Sequence, residues 1–452
     1  MRRLVAAALR NRISAIGVAL TTASGLLVLF LIALDLAGFL QNPYVGIIIF
    51  VIIPVIFVLG LLLIPVGLWL ERRRARAEAS PSEWTLDLSD QATRRMLAFI
   101  GVVTVVNLAI ISVASYGAVE YTESQTFCGQ VCHEVMGPEF VAHQNGLHAR
   151  IHCVSCHVGP GAPAFLSAKL NGTRQLGLVA TGRYSRPIPT PIEGIPDVQL
   201  TCEHCHAPDR FIGDKIKVFY EHADDEANTQ TMTTVRLHVG GPISGTGSGT
   251  GIHWHMNRGN LVEYVALDDK REKIGYIRVT TSDGVIREYF ADGSAPGTFD
   301  GKSLRRMGCL DCHSRPAHTF GASPERAVDA ALGAGLINIK IPFIRRDAVR
   351  ALGAAYPSHE VALPAIERTI REAVGVSQAR GVDEADVRQA IGVTQALYRH
   401  NVFPSMGIGW GTYSNQLGHM VSSGCFRCHD EGHKTREGVA IRQDCELCHT
   451  IE

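Results

Sequence analysis

The chain has 452 residues, and its charges balance, with 43 Lys and Arg residues against 43 Asp and Glu residues. This zero net charge gives no electrostatic argument for nucleic-acid binding, since nucleic-acid-binding proteins concentrate positive charge. The most informative part of the composition is its 12 cysteines and 19 histidines, whose spacing is considered below.

Three long apolar stretches open the chain, at residues 13–34, 45–70 and 96–116. Each reaches the roughly 20 residues that a helix needs to cross the hydrocarbon core of a bilayer. The first stretch is too long for a removable signal peptide, and no small-residue cleavage site follows it. The sequence therefore predicts a membrane anchor of three transmembrane helices.

Arginines predict the orientation of this anchor. Four precede the first span and four follow the second within residues 72–76, while the short turn between these spans has none. The positive-inside rule then places the N-terminus and the 71–95 loop in the cytoplasm. The third span carries the rest of the chain across a bacterial inner membrane, so that region is expected in the periplasm.

All 12 cysteines fall into six pairs, and a histidine directly follows each second cysteine. Five pairs read C-x-x-C-H, and the first, CGQVCH, has one extra residue. This spacing lets two thiols reach the two vinyl groups of one porphyrin while the histidine binds the iron from the proximal face. In chain order, motifs 1 to 6 are Cys128/Cys132/His133, Cys153/Cys156/His157, Cys202/Cys205/His206, Cys309/Cys312/His313, Cys425/Cys428/His429 and Cys445/Cys448/His449.

Zinc sites and disulfides are the alternative uses of these cysteines. Zinc ribbons do not require a histidine after every second cysteine, and a disulfide across two residues would close a strained loop. Six covalently bound haem c groups are therefore the expected cofactors, and electron transfer is the expected chemistry. Bacteria attach haem c outside the cytoplasm, which agrees with the predicted orientation.

Residues 118–452 provide about 56 residues for each of the six motifs. Segments of that size rarely support a core of their own, so porphyrins should supply much of the buried apolar surface and regular structure should be sparse.

Two parts depart from this pattern. Apolar and β-branched runs at 234–239, 261–267, 274–280 and 285–290 predict a small antiparallel sheet, whose last two strands are joined by a turn at Ser282, Asp283 and Gly284.

The second departure follows motif 4. Ser323 and Pro324 predict a capped helix start, and apolar residues at helical spacing predict further helices over 346–356, 365–374 and 384–400. These helices are expected to pack between the fourth haem and the last two.

The expected fold class is thus a membrane-anchored multihaem cytochrome c. It combines three N-terminal transmembrane helices with a haem-packed, mostly α or irregular periplasmic region and a small antiparallel β insertion. The predicted regions are 1–117 (the anchor), 118–213 (motifs 1 to 3), 214–300 (the β-rich insertion) and 301–452 (motifs 4 to 6 with helices).

Thirteen histidines remain besides the six that close the motifs, and all of them except His204, which lies inside motif 3, are available as second axial ligands, which would leave no open iron position. Met136, three positions after His133, is the candidate at motif 1, where a weakly held or five-coordinate iron would leave a face open to a lipid-soluble donor. The alternative role for each candidate is ordinary packing or hydrogen bonding. The candidate histidines are His148, His318, His419 and His433, one of His253 and His255, and His222 in reserve.

Residues 127–175, with FCGQVCHEVM and GLHARIHCVSCH, resemble the NapC/NirT/NrfH membrane-anchored quinol dehydrogenases. The resemblance implies that His148 is a distal haem ligand and that Lys169, twelve residues after His157, helps to bind quinol. Gln175 stands where the family has an acidic residue, so Glu120 or Glu123 would have to accept the quinol protons. The family's first motif is CxxCHxM with a coordinating methionine, and motif 1 departs from it, which leaves its ligation and haem occupancy open.

The longer resemblance is to the inner-membrane multihaem cytochromes of metal-respiring bacteria, through segments such as GIHWHM and DCHSRPAHTF. It implies a quinol dehydrogenase that takes electrons from the membrane menaquinol pool. Periplasmic c-type cytochromes or a reductase would receive them, in anaerobic or extracellular respiration, with the chain acting alone or in a homo- or hetero-oligomer. Two rival functions stay open: a terminal reductase of a small oxyanion, and a pure electron-transfer subunit of a larger complex.

Overall fold

The computed structural model divides into two compact units, Met1–His133 and Glu134–Glu452. The four regions expected from the sequence are finer than these units and stay a prediction. The structure describes residues 12–37, 45, 47–76, 89, 91–131, 133–159, 161–190, 198–207, 211, 213–242, 249–257, 259–294, 297–377, 381–413 and 415–452.

Three long helices make up most of the first unit. They are α1 (Arg12–Leu36), α2 (Ile53–Arg76), which follows a wider helical turn at Ile48–Ile52, and α3 (Gln91–Glu123). Their segments of membrane-spanning length and hydropathy are Arg12–Leu34, Ile48–Leu70 and Val102–Glu123. The three predicted spans are confirmed, and the third lies a few residues further along the chain than expected. Arg2, Arg3 and Arg10 lie outside the described residues, and the orientation stays a prediction.

Helices α1 and α2 approach closely at two glycines. A Cβ atom on Gly17 would lie 2.8 Å from the carbonyl oxygen of Gly60, and one on Gly60 would lie 2.8 Å from the backbone nitrogen of Thr21. Small residues permit such close packing between helices in a bilayer. Nearby, Ser14 Oγ donates a hydrogen bond to the Ile64 carbonyl at 3.0 Å.

Short helices and turns form around the motifs of the second unit. After α4 (His133–Gln144) come α5 (Cys153–His157) with motif 2, the longer α6 (Ala162–Ala180), and α7 (Val198–Glu203), which contains the first cysteine of motif 3. Helix α8 (Cys309–Cys312) belongs to motif 4, while motifs 5 and 6 form 3₁₀ turns at Gly424–Arg427 and Cys445–Leu447. Regular structure around the motifs is therefore sparse, as expected.

The predicted β insertion is present, but it forms two main sheets. Strands β1 (Asp214–His222) and β2 (Gln230–His238) form an antiparallel hairpin, and the short strands β3 (Gly241–Pro242) and β4 (Gly249–Thr250) pair with each other. Strands β5 (Leu261–Ala266), β6 (Ile274–Thr280), β7 (Ile286–Phe290) and β8 (Arg305–Arg306) form an antiparallel sheet in the order β7-β6-β5-β8. The C-terminal strand β9 (His449–Ile451) adds to β2.

The turn between β6 and β7 lies where the sequence predicts it. The Gly284 backbone N–H donates to the Thr281 carbonyl at 2.8 Å. Gly284 has a φ of 80°, a conformation that glycine adopts without steric cost.

Four amphipathic helices fill the stretch between motifs 4 and 5. They are α9 (Pro324–Gly333), α10 (Ile344–Gly353), α11 (His359–Ser377) and α12 (Glu384–Asn401). The predicted cap is present, since Ser323 Oγ accepts a hydrogen bond from the Arg326 backbone N–H at 3.4 Å. Their shared core includes Val328, Leu332, Ile337, Ile341, Ile344, Leu352, Ile366, Ile370, Ile391 and Tyr398.

Candidate haem sites

In five places the ring of a motif histidine faces the ring of a histidine from outside the motifs. Two imidazoles on opposite sides of one metal, each with a metal–nitrogen bond of about 2 Å, place their ring centres roughly 6 Å apart. Each pair therefore has the spacing that a six-coordinate iron requires. The centroid distances are 6.1 Å for His157 and His318, 6.0 Å for His206 and His148, 6.5 Å for His313 and His253, 5.9 Å for His429 and His255, and 6.1 Å for His449 and His419.

Backbone carbonyls fix the tautomer of four of these non-motif histidines. Because a carbonyl oxygen only accepts, the Nδ1 atom must carry the proton, and Nε2 keeps the lone pair that binds a metal. The Nδ1 contacts are His148 to Pro316 O at 3.1 Å, His318 to Glu139 O at 2.8 Å, His253 to Val239 O at 3.1 Å and His255 to Ile252 O at 2.9 Å.

Loss of solvent favours the neutral form of two partly buried paired rings. It is the largest cause that lowers the pKa of His255 and His318 below the usual histidine value. Neutral imidazole is the form that coordinates iron. The environment of these rings therefore suits metal ligation before any metal is bound.

Motifs 5 and 6 line one cavity between them. Its walls include the thiols of Cys425, Cys445 and Cys448 and the rings of His419 and His449. The Nδ1 atom of His449 is buried and has no hydrogen-bond partner among the described residues. Two thiols, two facing imidazoles and an apolar ring from Phe426 are the groups that a covalently attached haem needs.

The cysteines fit haem attachment better than the alternatives. The described cysteines of motifs 3 to 6 form no disulfide. Within the described ranges, no three His, Cys, Asp or Glu side chains converge in the way that a zinc site requires. Cys132 lies outside the described residues, and nothing is described for the side chain of His133, so motif 1 rests on its sequence.

A buried carboxylate inside motif 4 is a feature that the sequence interpretation missed. Asp311 accepts hydrogen bonds from Tyr264 Oη at 2.7 Å, Arg305 Nε at 3.2 Å, Arg271 Nη1 at 3.3 Å and the Gly308 backbone N–H at 2.7 Å. These partners come from the β sheet and its loops, which no local pattern links to the motif. The network holds the attachment helix α8 against that sheet.

A second buried ion pair positions His318. Arg315 Nη2 donates to the carboxylate of Glu139, while its Nε donates to the His318 carbonyl at 3.0 Å and its Nη1 to Thr190 Oγ1 at 2.8 Å. The side chains of Arg315 and Glu139 are about 10% and 9% exposed, so this pair is largely desolvated. Arg315 lies in the DCHSRPAHTF segment, but its role depends on Glu139, which is 176 residues away.

His222 differs from the five paired histidines, since both of its ring nitrogens have hydrogen-bond partners. Its Nδ1 contacts Asp329 Oδ1 at 3.1 Å, and its Nε2 contacts Gln230 Nε2 at 3.2 Å. Arg345 Nε also donates to Asp329, at 3.2 Å. This network joins β1 to α9 and α10.

His433 is held in a similar way. Its Nδ1 contacts Asp430 Oδ1 at 2.9 Å, and its Nε2 contacts the Ile274 carbonyl at 3.0 Å. Because the carbonyl can only accept, Nε2 carries a proton and has no lone pair for a metal. His433 thus links the motif 5 segment to the first residue of β6.

The candidate quinol residues are spread over several elements. Lys169 and Gln175 both lie on α6, but six positions separate them, which puts them on different faces of the helix. Lys169 is partly buried, with Nζ 5.0 Å from the centre of the Phe165 ring, and Gln175 is exposed. Met136 on α4 packs beside Phe320, Met406 and Ile408. The other two candidates, Glu120 and Glu123, lie at the end of α3.

Comparison with known proteins agrees with these features. Residues 90–187 match the model of the NapC/NirT cytochrome c family, N-terminal region. The chain is 40% identical to the cytochrome c-type protein ImcH of Geobacter sulfurreducens, over 99% of this chain and 89% of that protein. The chain belongs to the NapC/NirT cytochrome c family. No solved structure matches it.

Membership of this family establishes the general function of the protein. The protein is a membrane cytochrome of electron transport that holds covalently bound haem c. The three apolar helices and the family match together identify it as an inner-membrane protein. The resemblance expected from residues 127–175 is confirmed, and the match extends beyond it at both ends.

Proposed function

We propose that this cytochrome is a hexahaem quinol dehydrogenase that oxidises menaquinol and passes the electrons to periplasmic c-type cytochromes or a reductase. The observation that supports it most strongly is the set of five facing histidine pairs, one at each of motifs 2 to 6. Haem c bound at such a site supplies one-electron Fe(III)/Fe(II) chemistry with little change in coordination.

The pairs give a ligand set for five haems. In this proposal His318 serves motif 2, His148 motif 3, His253 motif 4, His255 motif 5 and His419 motif 6. The hydrogen bonds of His222 and His433 leave them out of the set. Two histidines on every iron of motifs 2 to 6 leave no position for an oxyanion, which disfavours the terminal-reductase function because a reductase needs an open site.

Motif 1 is the proposed point of electron entry. It follows the third span directly, so it is close to the membrane in sequence, and no histidine of the five pairs is assigned to it. Met136 is its proposed weak ligand, which would leave room for a quinol headgroup. The N-terminus is proposed to be cytoplasmic and the motifs periplasmic, which the arginines flanking the first two spans support.

The residues of the chain would bind the headgroup and accept its protons. Oxidation of one menaquinol to menaquinone releases two electrons and two protons, so it balances two one-electron reductions of an acceptor cytochrome. The Lys169 ammonium would donate hydrogen bonds to a quinol oxygen. Glu120 or Glu123 would take the protons on their way to the periplasm, while Gln175 can only hydrogen-bond.

Replacement of Lys169 by methionine tests this site, because the side chain keeps its length but loses its charge and donors. We expect electron transfer from a menaquinol analogue to the purified full-length protein to fall at least ~10-fold, as for the loss of a charge-assisted hydrogen bond. Stopped-flow absorbance of the haems measures this rate. Arg174→Met, on the same helix, is the matched control and should leave the rate unchanged.

Three results would contradict the proposal. A Lys169→Met protein with full haem content and an unchanged rate would remove Lys169 from the site. A wild-type protein that accepts no electrons from any quinol analogue would favour a pure electron-transfer subunit. A high-spin haem that reacts with nitrite in the C-terminal part would favour the reductase.

A further inference from the structure

We propose that the chain arranges attachment sites 2 to 6 in a single row that follows the order of the sequence, each site adjoining only its neighbours in number. The inference rests on the proposed haem loading of motifs 2 to 6 and not on quinol oxidation. Four joints, each made by side chains of consecutive motifs, support it.

The first joint links motifs 2 and 3. Helix α5 packs against helix α7. The attachment sulfurs of Cys156 and Cys205 are also electrostatic neighbours. His148, five residues before Cys153, faces His206 of the next motif. Thiols and rings therefore place sites 2 and 3 side by side.

The second joint links motifs 3 and 4. Helix α7 also packs against α8, and the thiols of Cys202 and Cys309 hydrogen-bond to each other. Both sulfurs are attachment atoms, so sites 3 and 4 meet at their attachment edges.

Arginine 427, inside motif 5, makes the third joint. Arg427 Nη2 donates to the Asp311 carbonyl in motif 4 at 2.5 Å, and its Nη1 donates to the Arg271 carbonyl at 2.8 Å. The Cys312 and Cys425 thiols are also electrostatic neighbours. Across the same joint, His253 and His255 lie on one 3₁₀ turn and face the histidines of motifs 4 and 5 respectively.

The fourth joint links motifs 5 and 6. The cavity described above is lined by thiols of both motifs. The Cys425 and Cys448 thiols are also electrostatic neighbours. His419 stacks on Phe426 of motif 5, with 4.3 Å between ring centres, and faces His449 of motif 6.

These four joints have one consequence for electron flow. Every thiol interaction described above joins consecutive motifs, although His318 crosses back from the segment after motif 4 to motif 2. The row therefore has two ends, at motif 2 and at motif 6. Since motif 1 directly precedes motif 2 in the chain, motif 6 is the end at which a periplasmic acceptor takes electrons.

Removal of one site at a time tests the order. Cys309→Ala with Cys312→Ala removes site 4, in the interior of the row, and Cys445→Ala with Cys448→Ala removes site 6, at its end. Adjacent charged centres shift one another's midpoint potentials through electrostatic interaction. We expect loss of site 4 to shift two of the remaining potentials and loss of site 6 to shift one, and the haem at site 5 should respond in both variants.

The measurement is an EPR-monitored redox titration of the full-length protein in detergent, which requires no quinol. Failure of quinol oxidation therefore leaves the test intact. The mass of the intact protein checks that one haem alone is lost. If a cysteine variant fails to fold, His253→Met and His419→Met keep every haem and raise the potential of one site each. His253→Met should then shift the midpoint potentials of two neighbouring haems, and His419→Met should shift that of one.

A branched or folded-back arrangement would shift different numbers of midpoint potentials. The row is wrong if loss of site 6 shifts two or more potentials, or if loss of site 4 shifts only one. It is also wrong if the two variants share no responding haem.

Discussion

The helices between motifs 4 and 5 and the segments that contain the motifs obtain their structure in different ways. In α10 and α11 the side chains of Ile344, Ile366 and Ile370 are at most 1% exposed. By contrast, α5 and the turn at Cys445–Leu447 have no buried residue. The first region forms a core from its own amino acids, and these two motif segments contribute no buried side chain to one.

This difference shows what the haems contribute to folding. A segment of a few tens of residues buries too little apolar surface to offset its loss of conformational entropy. We therefore expect the motif segments to depend on the porphyrin for buried area, whereas the helical block α9 to α12 has a core of its own. Haem attachment and folding should then be coupled in one region and separate in the other.

The largest expected difference between the two regions is in hydrogen-exchange protection when the protein is produced without haem attachment. We expect the backbone amides of α9 to α12 to keep protection from hydrogen exchange, because their core contains no motif residue. The segments 153–206 and 424–452 should exchange at rates close to those of an unfolded chain. Hydrogen-exchange mass spectrometry of the haem-free and haem-loaded proteins measures both. Equal protection of the motif segments in the two forms would contradict the comparison.

The two regions also differ in how far the sequence predicts them. The helices of the block follow the 3.6-residue period of their apolar residues, so the predicted 384–400 differs from Glu384–Asn401 by one residue. The Ser323 cap and the turn at Gly284 depend on local chemistry and were also predictable. Strands β8 and β9 were not, since each has only two or three residues and pairs with a strand distant in sequence.

The histidines that face the motif histidines were predictable only as a set. The five paired histidines were all among the candidates, but the sequence expectation chose one of His253 and His255, and both face motif histidines. His222 could not be separated from them, because its partner Asp329 is 107 residues away. Which histidine serves which motif depends on tertiary contacts that spacing does not encode.

The next largest expected effect is the loss of stability caused by a substitution in the core of the helical block. Ile366 is fully buried on α11, and its replacement by alanine leaves a cavity, so we expect a loss of about 3 kcal/mol in the free energy of unfolding. Thermal unfolding followed by far-UV circular dichroism measures it. Val361→Ala, at a position 50% exposed on the same helix, is the control and should change little. If the block gained its stability from the haems, the two variants would behave alike.

The smallest expected effect concerns His433, which lies beside a motif but is held by the polypeptide. Its two ring nitrogens contact Asp430 and the Ile274 carbonyl, so His433→Gln, which can replace only one of these contacts, should cost about 1 to 2 kcal/mol of stability. The haem spectra and midpoint potentials should stay unchanged, because no iron loses a ligand. The matched variant His419→Gln should change both at one haem. A shifted potential in the His433 variant would mean that His433 binds iron and that the pairing of motif 6 or motif 5 is different.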